Sequence, residues 1–270
     1  MKTNLLPQIL LTNDDGIDSP GLWALVKGFC DIADVTVVAP REQFSAASRS
    51  HPLASDRNIS EVDIPDGQLH CKAYAIGGSP AQAVLHAILE IMDEKPDLII
   101  SGINYGENLG MVVSMSGTIG AAMEGAVMGI PGIAVSQQLH HFNHLEYSDF
   151  DFTPAAFFTT LFARKILQIG LPNNVDFLKL DIPADAHEDT PWQMTCLSRH
   201  PYFIPTVNRE GHWKEGGKAR VKGKHNYSED PSLKGTDAYT LYNEKQVSVT
   251  PMSIDLTAGV NIKDTGKFFQ

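Results

Sequence analysis

A chain of 270 residues with 43% hydrophobic content can hold one large α/β domain or two smaller ones around a substantial core. Its formal net charge of -11 excludes a general affinity for nucleic acid backbones, while leaving room for a small phosphate ester held by a metal and backbone amides. No apolar run reaches membrane-spanning length, the N-terminus lacks the basic and apolar regions of a signal peptide, and Cys30, Cys71 and Cys196 stand apart without a Cys-x-x-Cys pair. The expectation is a cytoplasmic protein with no membrane partner, no disulfide framework and no zinc site.

The first apolar run, Ile9-Leu10-Leu11, reads as a buried strand that ends in Asn13-Asp14-Asp15-Gly16. Adjacent carboxylates repel, and a hard divalent cation such as Mg²⁺ or Mn²⁺ removes that cost. The same tetrad is also ordinary turn chemistry. Ser19-Pro20, Ser79-Pro80 and Thr153-Pro154 each pair an N-cap residue with a first-turn proline. They predict helices over 20–30, 80–92 and 153–169. Further strands are expected over 35–39, 96–102, 133–136, 177–180 and 246–250, with a helix over 118–128. A polar loop over 42–50 carries Ser45 and Ser48, and a glycine-rich loop spans 103–118.

Short apolar strands alternating with helices predict an α/β fold: a Rossmann-like, mostly parallel sheet with helices on both faces. Gly-x-Gly-x-x-Gly is missing after the first strand, so a dinucleotide site is not indicated. After Pro201, Gly, Lys and Asn become frequent, and 211–217 reads as a turn or hairpin. The chain is therefore divided into a core over 1–199 and a β-rich C-terminal arm over 200–270. The basic run 214–224 reads as a solvated arm. His140, His141 and His144 are discounted as a metal cluster, because no partner at ligand-like helical spacing accompanies them.

Carboxyl ends of parallel strands share one edge of a sheet, so loops far apart in sequence can converge there. The side chains pooled in this way are Asp14, Asp15, Ser45, Asn104 and Asn108, all oxygen donors. That set suits Mg²⁺, Mn²⁺ or Ca²⁺. Ser116-Gly117-Thr118 opens a helix whose first amides suit a phosphate, although it is equally an ordinary N-cap. The expected phosphate contacts are Asn13, Asn108, Ser116, Gly117 and Thr118.

These motifs together resemble the SurE family of metal-dependent 5′/3′-nucleotidases. The matching stretches are Leu10-Leu11-Thr12-Asn13-Asp14-Asp15-Gly16-Ile17, Val37-Val38-Ala39-Pro40 with Ser45 and Ser48, Gly78-Ser79-Pro80-Ala81 and Pro96-Asp97-Leu98-Ile99-Ile100-Ser101-Gly102-Ile103-Asn104. Gly106 with Asn108-Leu109-Gly110, Ser116-Gly117-Thr118 running into Ala121-Ala122-Met123-Glu124-Gly125, Gly235-Thr236-Asp237 and Val247-Ser248-Val249-Thr250-Pro251 follow in order. The resemblance implies hydrolysis of nucleoside 5′- and 3′-monophosphates by attack of a metal-bound water, with Asp14 and Asp15 catalytic. It implies one divalent ion (Mg²⁺ or Mn²⁺) per subunit, held by Asp14, Asp15, Ser45 and Asn104. It also implies a homodimer or homotetramer that exchanges the C-terminal arm.

The chain departs from the family pattern at Phe44, usually arginine, at Ala46, usually glycine, at Val112-Val113, at Met115, usually tyrosine, and at Gln82, often aspartate. These changes spare the metal ligands and bear on substrate preference and turnover. They motivate an alternative, a nucleotide- and metal-binding protein with little turnover. A covalent aspartyl-phosphate on Asp14 is the third reading. The adjacent aspartates lack the Asp-x-Asp spacing of such phosphotransferases.

Overall fold

The computed structural model describes residues 6–65, 71–140, 150–209, 211–212, 214, 219–259 and 265. Its first half comprises β1 (Gln8–Thr12), α1 (Pro20–Phe29), β2 (Asp34–Pro40), β3 (Ile59–Glu61), β4 (Cys71–Ile76), α2 (Pro80–His86), β5 (Leu98–Tyr105), α3 (Gly117–Val127) and β6 (Gly132–Gln137). The second half comprises α4 (Thr153–Ile169), β7 (Phe177–Ile182), β8 (Trp192–Met194), β9 (Phe203–Arg209), β10 (Ala219–His225), α5 (Asp237–Tyr242) and β11 (Val247–Met252). No helix among the described residues is long and apolar enough to cross a membrane.

Successive residues of β1 point to opposite faces of the sheet, and both faces are covered. Ile9 and Leu11 pack with Val35, Val37, Leu98 and Ile100 under α1 and α4. Leu10 points the other way, with Val38 and Ile99, under Ala83 and Val84 of α2 and Ala121 of α3. This burial, rather than capping, sets the helices. The Ser19 side chain makes no cap bond, and Thr153 lies inside α4, its amide donating to the Asp151 carboxylate at 2.9 Å. Only Ser79 caps as the Ser/Thr-Pro pattern predicts, in a capping box with Gln82. A cap contributes about 1 kcal/mol. Each buried Leu, Val or Phe contributes about 1.5–3 kcal/mol, so α1 forms on Leu22, Leu25, Val26 and Phe29 alone.

The nine-stranded sheet runs β3-β4-β2-β1-β5-β6-β7-β11-β8. β1 pairs in parallel with β2 on one side and β5 on the other. The chain winds outward from β1 to β4, then crosses back to β5. The carboxyl ends of β1 and β5 therefore flank a topological switch point, where a crevice opens. β5 also continues past the glycine expected to end it. Beside Gly102 (φ +143°) the Val135 carbonyl lies so close that a Cβ would sit 2.3 Å from it. Pairing with β6 resumes at Asn104↔Ser136 after this irregularity, so Asn104 rides a strand end instead of a loop.

The boundary placed at residue 199 does not follow the sheet. β11 inserts between β7 and β8 in the main sheet, its alternating valines buried against the core. Only β9 and β10 form a separate antiparallel ribbon, and part of the 211–217 turn joining them lies outside the described residues.

The loop after β2 holds Ala46 at φ +58° and Ser48 at φ +52°, both left-handed. A Cβ there costs about 1–2 kcal/mol, partly offset in Ala46→Gly by the freer unfolded chain. Urea unfolding of Ala46→Gly is expected to show a gain of up to about 1 kcal/mol, and Ala46→Val a loss. Stabilisation by valine would contradict the left-handed turn.

Candidate active site

Asp14 and Asp15 sit just beyond β1 and are 6% and 4% exposed. Asn13 shapes the turn that carries them: its amide nitrogen donates to the Gly16 carbonyl at 2.9 Å, and its oxygen accepts the Gly16 N–H at 3.2 Å. Asp14 is clamped by the mouth of α3. Its Oδ1 accepts the Thr118 hydroxyl at 2.6 Å, and the Gly117 and Thr118 backbone at the start of the helix favours its charged form. Only glycine fits at 117, since a Cβ would lie 2.7 Å from that of Asp14. The Ser116 hydroxyl accepts the Ile119 N–H at 3.2 Å, which caps the helix. Asp15 accepts Gln43 Nε2 at 3.1 Å on one oxygen and the Tyr105 N–H at 3.3 Å on the other.

Burial pushes both carboxyls up. Asp14 is raised by desolvation against the opposing pull of Thr118 and the helix amides. Asp15 is pushed up to about 7, by burial first and by the charge of Asp14 second. Both carboxyls rise in spite of these hydrogen bonds, so burial, and for Asp15 the neighbouring charge, outweigh them.

Asp14, Asp15, Ser45, Asn104, Asn108 and Ser116 line one cleft of about 1430 Å³. Ser45 is exposed there. The Asn104 side-chain nitrogen donates to the Gly106 carbonyl at 2.6 Å, leaving the amide oxygen as its acceptor. Of the expected phosphate contacts, Asn108 and Ser116 reach the cleft wall, whereas Asn13, Gly117 and Thr118 do not. Their polar groups are spent on the turn and on Asp14, so the helix mouth is taken by a carboxylate of the chain itself. His140 is exposed and pairs with Asp185 at 2.7 Å; His141 and His144 lie outside the described residues.

Two charged clusters that sequence reasoning missed hold the site loops, the first of them fully buried. Lys179, Asp181 and Asp237 are fully buried, with Lys179 Nζ bonded to Asp181 and 3.1 Å from Asp237. Asp181 accepts the Asn108 N–H and Asp237 the Gly110 N–H, each at 2.8 Å, which ties the loop after β5 to β7 and α5. The signal was present: Lys179 stands among apolar residues of a buried strand, and Asp181 shares its face. Burial pushes Asp181 up to about 6 despite the lysine beside it. On the other side, buried Glu124 of α3 meets Arg49 at 3.5 Å and His51 at 3.2 Å. Gly120 lets the Ser48 carbonyl press onto the same helix.

The family departures have local consequences. Gln82 Oε1 accepts the Ser79 N–H and the Ser55 hydroxyl, each at 3.0 Å, and Nε2 donates to the Pro52 carbonyl at 3.3 Å. An aspartate could not make that last bond. Phe44 keeps its backbone bond, N–H to the Asp14 carbonyl at 2.7 Å. Met115 lines the cleft, and its carbonyl accepts the Ser48 N–H at 3.0 Å.

Residues 9–203 match the sequence model of a family described as survival protein SurE. The chain belongs to the SurE family. It is 41% identical over 257 residues to a protein of Thermococcus gammatolerans named 5′-nucleotidase SurE, covering 95% of this chain and 93% of that one. A protein of the same name from Thermococcus kodakarensis is 38% identical over 96% of this chain and 97% of its own. The crystal structure of SurE protein from Aquifex aeolicus superposes with a TM-score of 0.77 at 29% identity, covering 98% of this chain and all of that one.

Removing one partner of a buried ion cluster costs about 3–5 kcal/mol, because the others stay buried without it. Lys179→Met is therefore expected to lose that much stability in urea unfolding. A loss under about 1 kcal/mol would contradict a buried lysine that neutralises two carboxylates.

Proposed function

We propose that this chain is a divalent-metal-dependent phosphomonoesterase that converts nucleoside 5′-monophosphates, and their 3′ counterparts, to nucleoside and phosphate. The observation that carries it is the buried Asp14–Asp15 pair at the switch point, with Ser45 and Asn104 on the same cleft, in a SurE chain whose relatives are named 5′-nucleotidase. The donor set fits Mg²⁺ or Mn²⁺: it offers oxygen and no sulfur, and it includes two desolvated, adjacent carboxyls whose repulsion a divalent cation would relieve. Asp14, Asp15, Ser45 and Asn104 would hold the ion. When bound, it supplies Lewis-acid activation of water and neutralises charge developing on the phosphoryl oxygens.

The chain's own groups do the rest. Thr118 and the α3 amides hold Asp14 in one orientation, so its ligand oxygen needs no reorganisation. Asp14 or Asp15 would take the proton of an attacking water. The Ser116 hydroxyl stands on the cleft wall as a donor to the phosphoryl oxygens, beside Asn108, whose amide nitrogen also donates to the Ser136 hydroxyl at 2.8 Å.

Phe44, where the family usually carries arginine, supports a second reading, binding with slow turnover, because the loop that carries Ser45 has lost a cation. Assembly into a dimer or tetramer through the C-terminal ribbon is part of the proposal. Phe203, Ile204 and Val207 of β9 are exposed, which supports a ribbon that meets a second copy.

Phosphate release from AMP and GMP is expected with Mn²⁺ or Mg²⁺ and is expected to stop on chelation. Equal rates with and without chelator would reject the metal-dependent reaction. Mn²⁺ binding must displace the proton that Asp15 holds up to about pH 7 in the metal-free protein. Affinity should therefore fall as pH drops below about 7, by about tenfold per unit for one displaced proton. Titration calorimetry between pH 5.5 and 8 reads this slope, and a flat profile would contradict it.

A further inference from the structure

The cleft extends beyond what a phosphate and one ion need. Tyr202, Tyr227, Tyr242 and Glu107 line the same cleft as the carboxylate pair. Both the Tyr202 and Tyr242 hydroxyls donate to Glu107 Oε1, and the two phenol oxygens lie 3.1 Å apart. The Tyr227 and Tyr242 rings stand 3.9 Å apart at 39°, and Tyr202 closes the group at 5.9 Å from Tyr227. The phenols are thereby fixed in place. Tyr202 is buried, but Tyr227 is 51% exposed into the same cleft.

The separation suits a nucleotide. Asn104, on the metal side, and Glu107 are three residues apart, so their Cα atoms are at most about 11 Å from each other. The turn at Gly106 (φ +96°), whose N–H donates to the Gln137 carbonyl, shortens that span. An aromatic group bonded to Glu107, within this span of the metal side, lies within reach of the base of a nucleoside monophosphate whose phosphate sits at the ion.

Resting on the nucleotidase reading above, we propose that Tyr227 and Glu107 form a purine-base subsite that prefers guanine. Tyr227 offers a π-face for stacking, which every base can use. Glu107 provides the discrimination. Its Oε1 is engaged by two phenols, while Oε2 accepts no hydrogen bond among the described residues and the side chain is half-buried in the cleft wall. A carboxylate oxygen can only accept. Guanine presents neighbouring N1–H and N2–H₂ donors to it, whereas adenine places the N1 lone pair beside its amino group. Hypoxanthine, with N1–H alone, falls between. Neither residue belongs to the metal or phosphate contacts, so this is a selection device separate from the chemistry.

The test measures binding and turnover in parallel on the full chain with Mn²⁺. Calorimetry with GMP, IMP, AMP and ribose 5-phosphate reads the subsite. GMP is expected to bind about tenfold tighter than ribose 5-phosphate, with affinity ordered GMP, IMP, AMP. Tyr227→Leu should collapse the ratio of GMP to ribose 5-phosphate affinity. Glu107→Gln, which replaces an acceptor with an amide, should bring the GMP to AMP ratio close to one. Each ratio is taken within one variant, so partial loss of folded protein does not mimic the effect. Equal affinity for GMP and ribose 5-phosphate, or ratios unchanged in both variants, would overturn the subsite even if hydrolysis proceeds. Absence of phosphate release from all four compounds would instead overturn the nucleotidase reading, while the binding ratios still decide the subsite.

Discussion

Burying two neighbouring carboxylates is the constraint around which this protein is arranged. Taking a carboxylate out of water costs several kcal/mol, and Asp14 and Asp15 are both more than nine-tenths buried. The fold offsets part of that cost for Asp14 with the positive end of a helix and a hydroxyl at 2.6 Å. Charge-assisted hydrogen bonds of this kind contribute about 1.5–3 kcal/mol each. Asp15 accepts the Gln43 side-chain amide and the Tyr105 N–H, and its carboxyl still rises to about 7. A small, hard cation beside the pair would lower the remaining cost.

That requirement explains where the glycines and loops fall. Gly117 exists so that Asp14 can reach the helix amides, and Gly120 so that the second loop can lie against the same helix. Glu124 then anchors this loop through Arg49 and His51, while the Lys179 cluster anchors the loop carrying Asn108. Both walls of the cleft are thus held by ion pairs, fully buried on one side and half-exposed on the other, and the later part of the chain, through Asp237, Tyr202 and Tyr242, closes the site begun by β1.

Much of this was legible in the sequence where the physics is local. The α4 boundaries follow from its apolar period, and the Asp14–Asp15 turn, Ser45 and Asn104 follow from strands that must end on one sheet edge. The roles of Gly117 and Thr118 were not legible. A helix N-terminus looks the same whether a ligand or a carboxylate 104 residues away fills it. The place of β11 was hidden for a related reason. Alternating valines identify a strand but not its neighbours, and only long-range packing decides between an arm and the central sheet. Lys179 was readable and overlooked, since a lysine in a strand buried on both faces demands a partner.

The most direct measurement is a crystal structure of the chain grown with Mn²⁺, using anomalous scattering to locate the ion. The account predicts a single strong peak within coordinating distance of Asp14, Asp15 and Asn104, with the Thr118 hydroxyl still bonded to Asp14. A peak elsewhere, or an Asp14 side chain turned away from the mouth of α3 with no ion beside it, would contradict it.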